Sequence, residues 1–255
     1  MTAALGTDHL IFPPHPATLA WVRAAYDVAM PLVDDPAHAG WWRHGATWFA
    51  GVNLLPNGAD GAVGGVPLAG PAFDWLAGQG RLPARWDKAQ ISVVRPGYPR
   101  QDPGEADAAH RFRRRRDAAH LDGLLPVGPD RRRMMREHHA FILGLPLTEA
   151  GEGASPLVFW EGSHEIIAAM LRAALGPHPQ ADWGAIDLTD IYAETRKRIF
   201  DTCRRRTIRV KPGGAYFLHR FTVHGISPWE DGAEAAPEGR VIAYFRPENN
   251  IKSWL

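Results

Sequence analysis

Pro212-Gly213-Gly214-Ala215-Tyr216-Phe217-Leu218-His219-Arg220-Phe221-Thr222-Val223-His224-Gly225 is the stretch on which the fold turns. Lys211-Pro212-Gly213-Gly214 is a turn signal. The aromatic and β-branched run after it predicts a strand over 215–223 that ends in His224-Gly225. Outward from there, a long loop at 225–239 leads to a predicted strand over 240–246. Upstream, strand composition recurs at 207–210, 156–160, 140–147 and 90–95. Two helices interrupt the series. One starts at Glu161-Gly162-Ser163 and carries Ile166, Ile167, Met170, Leu171 and Ala174 on one face. The other spans 188–204 through Ile191, Ala193, Ile199 and Cys203. The 26 glycines and 22 prolines of this 255-residue chain far exceed the usual share of about 12%. They favour short elements joined by turns, and so a β-sandwich or barrel core rather than a helical bundle.

The first third reads differently. Residues 1–16 are Pro-rich and expected to be irregular, and Leu19, Val22, Tyr26 and Met30 predict a helix over 17–30. Trp41-Trp42, Trp48-Phe49 and Val52 form an aromatic-rich segment whose secondary structure the pattern does not assign. Residues 56–84 read as loop and short helix, with Pro71 a suitable first helical residue. A single domain over 1–255 is expected, with 1–88 a helical and loop elaboration, 89–247 the core and 248–255 a tail.

Composition narrows the function. Apolar residues make up 45% and charged residues 22%, and the net charge is +1, which provides no coherent field for nucleic acid or a membrane surface. No apolar run approaches the ~18 residues of a membrane span, and no charged region precedes Leu10-Ile11-Phe12 as in a secretory leader. A cytoplasmic protein is expected. One cysteine, Cys203, excludes an intrachain disulfide framework and Cys-rich metal sites; it reads as a packing residue. The chain lacks a His-Glu-x-x-His helix, a Gly-x-Ser-x-Gly elbow, a phosphate-binding loop and a dinucleotide fingerprint.

His120-Leu121-Asp122 remains. Residues two apart on a strand share a face, so an imidazole and a carboxylate would project together. A distant histidine would complete a two-histidine, one-carboxylate face with three open positions, suited to non-haem Fe(II). With 12 histidines in the chain, roughly one such triplet is expected by chance, so context has to decide. In order, the sequence presents His120-Leu121-Asp122, the apolar 141–147 run, Trp160-Glu161-Gly162-Ser163-His164, the turn and strand from Gly213 to His224-Gly225, and Arg240. Over residues 90–247 this series resembles the phytanoyl-CoA dioxygenase-like branch of the Fe(II)/2-oxoglutarate oxygenases.

The resemblance implies a double-stranded β-helix, or cupin-like jelly roll, with N-terminal helical support. It implies His120, Asp122 and His224 as Fe(II) ligands, 2-oxoglutarate and O2 as cosubstrates, and Arg240 as partner of the far carboxylate of 2-oxoglutarate. A guanidinium is always charged and matches a carboxylate bidentately. Arg246 lies on the same face of the same strand by period two and stays open as the alternative. The small hydroxyl the family often places two residues after the second histidine is Ile226 here, with Ser227 displaced by one. Thr222, on the His224 face of a continuous strand, is a further pocket candidate. Asp122 favours hydroxylation, because halogenating relatives replace the carboxylate with a small residue.

The implied activity is oxygenation of a small molecule with release of succinate and CO2. Two rivals are a jelly-roll enzyme using Zn(II) or Mn(II) without O2, and a non-catalytic metal- or 2-oxoglutarate-binding protein. His219 by parity faces away from His224. His138-His139 read as strand-end polar surface, and Ser163 as a helix cap. Pro96-Gly97-Tyr98-Pro99 is placed near substrate. The arginine runs Arg111 with Arg113–Arg116, Arg131–Arg133 and Arg204–Arg206 read as solvated faces balanced by acids; the sharper reading has Arg113–Arg116 steering an anionic substrate. The tryptophans at 41, 42 and 48 read as core or substrate wall.

Overall fold

Two inward-facing rows of side chains explain the architecture. Along β12 (Arg240–Phe245) residues alternate between faces. Val241, Ala243 and Phe245 enter one core, while Ile242 and Tyr244 enter another. β4 (Gln90–Val94) pairs with β12 and repeats the pattern, with Ile91 and Val93 in the first core and Ser92 opposite Ile242. A computed structural model describes residues 7–255, and in it these strands belong to a seven-stranded antiparallel sheet ordered β1-β10-β7-β12-β4-β3-β2. The other members are β1 (His9–Phe12), β2 (Trp42–Arg43), β3 (Trp48–Gly51), β7 (Phe141–Pro146) and β10 (Ala215–His219). A three-stranded sheet, β11-β8-β9, faces it and comprises β8 (Leu157–Trp160), β9 (Arg205–Ile208) and β11 (His224–Ile226). This is the double-stranded β-helix expected from the sequence.

Three layers of core follow. Outside the large sheet, α1 (Pro16–Asp34) and α2 (Pro71–Gly78) place Trp21, Val22, Ala25, Phe73 and Leu76 against Phe141, Phe217 and Phe245. Between the sheets lie Ile142, Leu157, Phe159, Ile208, Tyr216, Leu218, Ile242 and Tyr244. Outside the small sheet, Val158 and Trp160 pack on α4 (Ser163–Leu175) and α5 (Thr189–Thr202), with half-buried Cys203 beside them. Each sheet is therefore buried on both faces, which is why its strands read as near-continuous apolar runs. No helix among the described residues is long and apolar enough to cross a membrane.

Several expectations need correction. Residues 9–12 form an edge strand paired with β10 rather than irregular chain; residues 1–6 lie outside the described residues. The aromatic segment supplies β2 and β3, so the large sheet draws strands from both sides of residue 89. A polar helix α3 (Asp107–Arg115) and a hairpin of β5 (Leu124–Val127) and β6 (Arg132–Met135) were not anticipated. Ser163 is not the cap of α4. Gly162 holds that position, and the Ser163 hydroxyl instead accepts from the Val223 N–H at 3.0 Å.

The largest correction concerns 215–223, which is not one strand. β10 stops at His219, and the chain turns and crosses to the other sheet to begin β11 at His224. His219 closes the turn, its Nδ1 accepting from Phe221 N at 3.1 Å and its carbonyl from Thr222 N at 2.9 Å. Parity counted through this segment therefore fails. Thr222 is fully buried and its hydroxyl donates to the Asp8 carbonyl at 3.1 Å, so that hydroxyl is committed to holding the crossover.

The His219 ring also sets an acid limit on stability. Burial and the neighbouring Arg220 push its pKa down to about 3, and burial with Arg113 nearby pushes buried His44 down to about 4. Both folded values lie below the unfolded value near 6.5, so between them the unfolded chain binds more protons. Stability is then fully present above about pH 6.5 and falls as pH drops from there toward 3. For the metal-free protein, the urea midpoint is expected to fall from pH 7 to pH 4.5; an unchanged midpoint would contradict this assignment.

Candidate metal centre

His120 and His224 are 104 positions apart, yet they form a single β-bridge. His120 N donates to His224 O at 2.9 Å and His224 N to His120 O at 3.2 Å. His120 is thus a bridge residue rather than part of a longer strand, and Asp122 sits in the turn that follows. The segment is held by contacts remote in sequence. Asp117 and Ala118 adopt left-handed φ values of 54° and 53°, a conformation that costs of order 1 kcal/mol or more per non-glycine residue. The Asp117 carboxylate is clamped by Arg205 at 2.7 and 2.8 Å, and the Asp117 carbonyl accepts from Ile226 N at 2.8 Å. Beyond Asp122, Gly123 has φ of 80°, and a Cβ there would lie 2.2 Å from the Glu137 carbonyl oxygen. Only glycine allows that approach.

This frame brings the three expected ligands together. One ligand atom from each of His120, Asp122 and His224 lies within 4.8 Å of the others. Asp122 Oδ1 is 3.2 Å from His120 Nε2 and 3.8 Å from His224 Nε2. His120 Nδ1 is 3.0 Å from the Ala118 carbonyl, and His224 Nδ1 is 2.9 Å from the Thr222 carbonyl. A carbonyl only accepts, so each Nδ1 carries a proton and each Nε2 is the atom turned toward Asp122, the nitrogen that would bind a metal once deprotonated. The donor set fits a divalent transition metal in both ligand type and tautomer.

Electrostatics separates the two histidines. Burial would raise the Asp122 pKa, but His224, the His120 hydrogen bond and Arg246 outweigh it and hold the carboxyl well below its usual range. Burial lowers His224 to about 4, leaving it neutral at physiological pH. Burial also works against His120, but its Asp122 partner raises its pKa on balance. The His120 side chain is 52% exposed whereas those of Asp122 and His224 are under 10%. The cluster therefore opens to solvent on the His120 side.

The two candidate arginines occupy different places. Arg240 opens β12 and is 5% exposed, inside the barrel. Its guanidinium meets the hydroxyls of Tyr216 and Tyr244, which outweigh burial and raise its pKa. The two hydroxyls are 2.8 Å apart. They can meet because Gly144, paired with both tyrosines, stands on the strand between them; a Cβ there would lie 2.2 Å from the Tyr216 ring. Arg240 Nη1 is buried without a hydrogen-bond partner among the described residues. Arg246 lies just past β12, with Nη1 3.6 Å from Asp122 Oδ2 and Nη2 donating to Gln90 Oε1 at 2.6 Å. Ser227 is buried, with its hydroxyl 3.4 Å from the Pro156 carbonyl.

Sequence reading missed Tyr216, Tyr244 and Gln90. Period two from Arg240 would have found Tyr244; the other two required the sheet order. Tyr98, placed near substrate by the sequence, is buried, precedes a cis peptide to Pro99, and lies within electrostatic reach of Arg240 and Asp117. His139 bridges Glu137 and the Arg246 carbonyl, and His138 packs edge-on to Trp254. Trp48 donates to Ser92 and stacks on His44, while Trp42 lies under Arg95.

Each arginine run is engaged in part. Arg113 pairs with Glu105, Arg116 lies over Phe200, Arg132 binds Asp187 and Asp190, and Arg206 binds Glu161. A second acidic-histidine group, His44 with Asp102 and Glu105, already has its charge met. The Asp102 oxygens accept from the backbone N–H groups of His44 and Gly45 at 2.9 and 2.7 Å, and Arg113 supplies the cation.

No protein-family model matches this chain, and no curated protein matches it. Solved structures do. The chain is similar to the non-heme alpha ketoglutarate dependent carbocyclase SnoK from nogalamycin biosynthesis, at 16% identity and a TM-score of 0.50, over 94% of this chain and 80% of that one. It is also similar to the epimerase SnoN from the same biosynthesis, at 15% identity and a TM-score of 0.46, over 96% and 80% of the two chains. AviO1 from Streptomyces viridochromogenes Tue57 aligns at 14% identity and a TM-score of 0.47, over 94% and 90%. At such identities the SnoK likeness speaks for the fold, and it bears out the jelly-roll core.

Proposed function

We propose that this chain is an Fe(II)- and 2-oxoglutarate-dependent oxygenase of the phytanoyl-CoA dioxygenase-like kind, hydroxylating a C–H bond of a small molecule. The balance is substrate C–H plus 2-oxoglutarate plus O2 to substrate C–OH plus succinate plus CO2. His120, Asp122 and His224 would hold the metal, which with 2-oxoglutarate supplies the two-electron oxidant made from O2. The observation that carries the reading is the pairing of this three-donor face with Arg240 inside the same barrel. A buried cation without an anionic partner is costly, and Nη1 of Arg240 is left open for an acceptor.

The residues divide the work. Two histidines presenting Nε2 and one ionised carboxylate would supply three ligands to a metal and leave its remaining positions for 2-oxoglutarate and O2. Arg240, with the Tyr216 and Tyr244 hydroxyls, would bind the far carboxylate of 2-oxoglutarate through a bidentate fork. The two carboxylates of 2-oxoglutarate are separated by four carbon–carbon bonds, about 5 Å end to end. Arg246 is already 3.6 Å from the ligand Asp122, which is too close to the metal side to meet the far end of that chain. The apolar side chains between the sheets exclude water from the cosubstrate. The exposed His120 edge marks where a small molecule would approach. With Arg113 taken by Glu105, steering of an anionic substrate is not part of this proposal.

The test is anaerobic titration of the metal-free protein with Fe(II) and then 2-oxoglutarate. A visible metal-to-ligand charge-transfer band is expected with both and with neither alone. Folded, iron-loaded protein that gives no band would sink the oxygenase reading and favour Zn(II) or Mn(II) chemistry. A band without succinate formation for any substrate would favour a binding protein.

A further inference from the structure

The two oxygens of Asp122 are chemically equivalent but stand in unlike surroundings. Oδ1 faces both imidazole Nε2 atoms, at 3.2 and 3.8 Å, while Oδ2 faces Arg246 Nη1 at 3.6 Å. Arg246 is itself fixed at several points. Its backbone N–H donates to Asp87 Oδ2 at 2.9 Å, its Nη2 donates to Gln90 Oε1 at 2.6 Å, and its carbonyl lies 3.0 Å from His139 Nδ1. Gln90 is buried on β4, and the Arg246 side chain is only 20% exposed. The guanidinium is thus held by Gln90 on the sheet, its backbone by Asp87 and His139, and it faces the Asp122 oxygen that is turned away from the histidines.

We infer that Arg246 is a positioning residue that keeps Asp122 a one-oxygen ligand, so that three coordination positions stay open at the metal. The inference rests on the metal-centre reading above. A carboxylate on a divalent ion can bind through one oxygen or both. In a six-coordinate site with three protein ligands, a two-oxygen Asp122 would take one of the three positions that two atoms of 2-oxoglutarate and one O2 require. The ion pair to Oδ2 opposes that arrangement, and Gln90 keeps the guanidinium from following the carboxylate while Asp87 fixes the Arg246 backbone. Arg246 therefore serves the reaction without contacting 2-oxoglutarate, a role distinct from that of Arg240.

The experiment loads Mn(II) into the wild type, Arg246→Met, Arg246→Lys and Gln90→Leu, and measures water-proton relaxation of the saturated proteins without cosubstrate. Three open positions in the wild type become two in Arg246→Met, so the bound-metal relaxation enhancement is expected to fall by about one third. Arg246→Lys restores most of it and Gln90→Leu shows part of the fall. A 2-oxoglutarate titration of the same Mn(II) proteins accompanies it, and affinity is expected to change far less in Arg246→Lys than in Arg240→Lys. Wild-type relaxation in both Arg246→Met and Gln90→Leu overturns the inference, as does loss of 2-oxoglutarate affinity in Arg246→Lys with the enhancement intact. If Arg246→Met does not fold, the lysine and Gln90 variants decide alone. Failure of the wild type to bind Mn(II) at all instead overturns the metal-centre reading on which the inference stands.

Discussion

Asp122→Ala is expected to abolish metal-dependent activity and weaken Fe(II) binding by roughly 150- to 5,000-fold. Asp122 is the only anion of the three-donor face, its side chain is 8% exposed, and its charge is shared among two histidines and Arg246. Removing one member of such a buried charged set costs roughly 3–5 kcal/mol, and each 1.4 kcal/mol is tenfold in affinity. The variant also leaves Arg246 facing the metal position with no carboxylate between them, so a cation there meets net repulsion. Anaerobic Fe(II) titration reads the loss directly. Asp122→Glu keeps the charge but adds a methylene, and is expected to retain metal while losing most turnover. Fe(II) bound by Asp122→Ala as tightly as by the wild type would mean that the metal sits elsewhere.

Arg240→Met is expected to have opposite effects on ligand binding and on stability. In the metal-loaded protein, removing one partner of a buried charge pair costs roughly 2–5 kcal/mol, so 2-oxoglutarate affinity falls roughly 30- to 5,000-fold. Ligand at 100 times its dissociation constant stabilises the wild type by about 2.7 kcal/mol, a rise of roughly 5–10 °C in Tm for a chain of this size. Arg240→Met shows none of that rise. Without cosubstrate the variant is expected to be as stable as the wild type or more so. It removes a cation that is 5% exposed and has an unpartnered Nη1, and apolar replacement of a buried charge is often neutral or favourable. Differential scanning calorimetry with and without 2-oxoglutarate separates the two effects. A large loss of stability in ligand-free Arg240→Met would show that the guanidinium is structural. Arg240→Lys keeps the charge without the planar fork and is expected to recover only part of the affinity.

Much of this was legible in the chain because it depends on local pattern. The apolar runs at 90–94, 141–146 and 157–160 are strands since both faces of each sheet are covered, and a strand buried on both sides needs apolar residues throughout. The helical spacing of Leu19, Val22, Tyr26 and Met30 is that of α1, and Pro71 opens α2. His120, Asp122 and His224 could be nominated through the family resemblance that the ordered series of motifs carries.

Tertiary contact decided the rest. Residues 220–223 have strand composition, but His219 takes the Phe221 and Thr222 N–H groups, the Asp8 carbonyl takes the Thr222 hydroxyl and Ser163 takes the Val223 N–H, and this turn moves His224 into the second sheet. The separate uses of Arg240 and Arg246 have the same origin. Period two puts both on one side of β12, yet only the neighbouring strands bring Tyr216 across Gly144 to one and Gln90 to the other. The three candidate ligands converge because Arg205 clamps Asp117 across 88 positions and a single bridge joins His120 to His224. Strand and helix propensities act over a few residues, whereas these contacts join segments that only the closed barrel brings together.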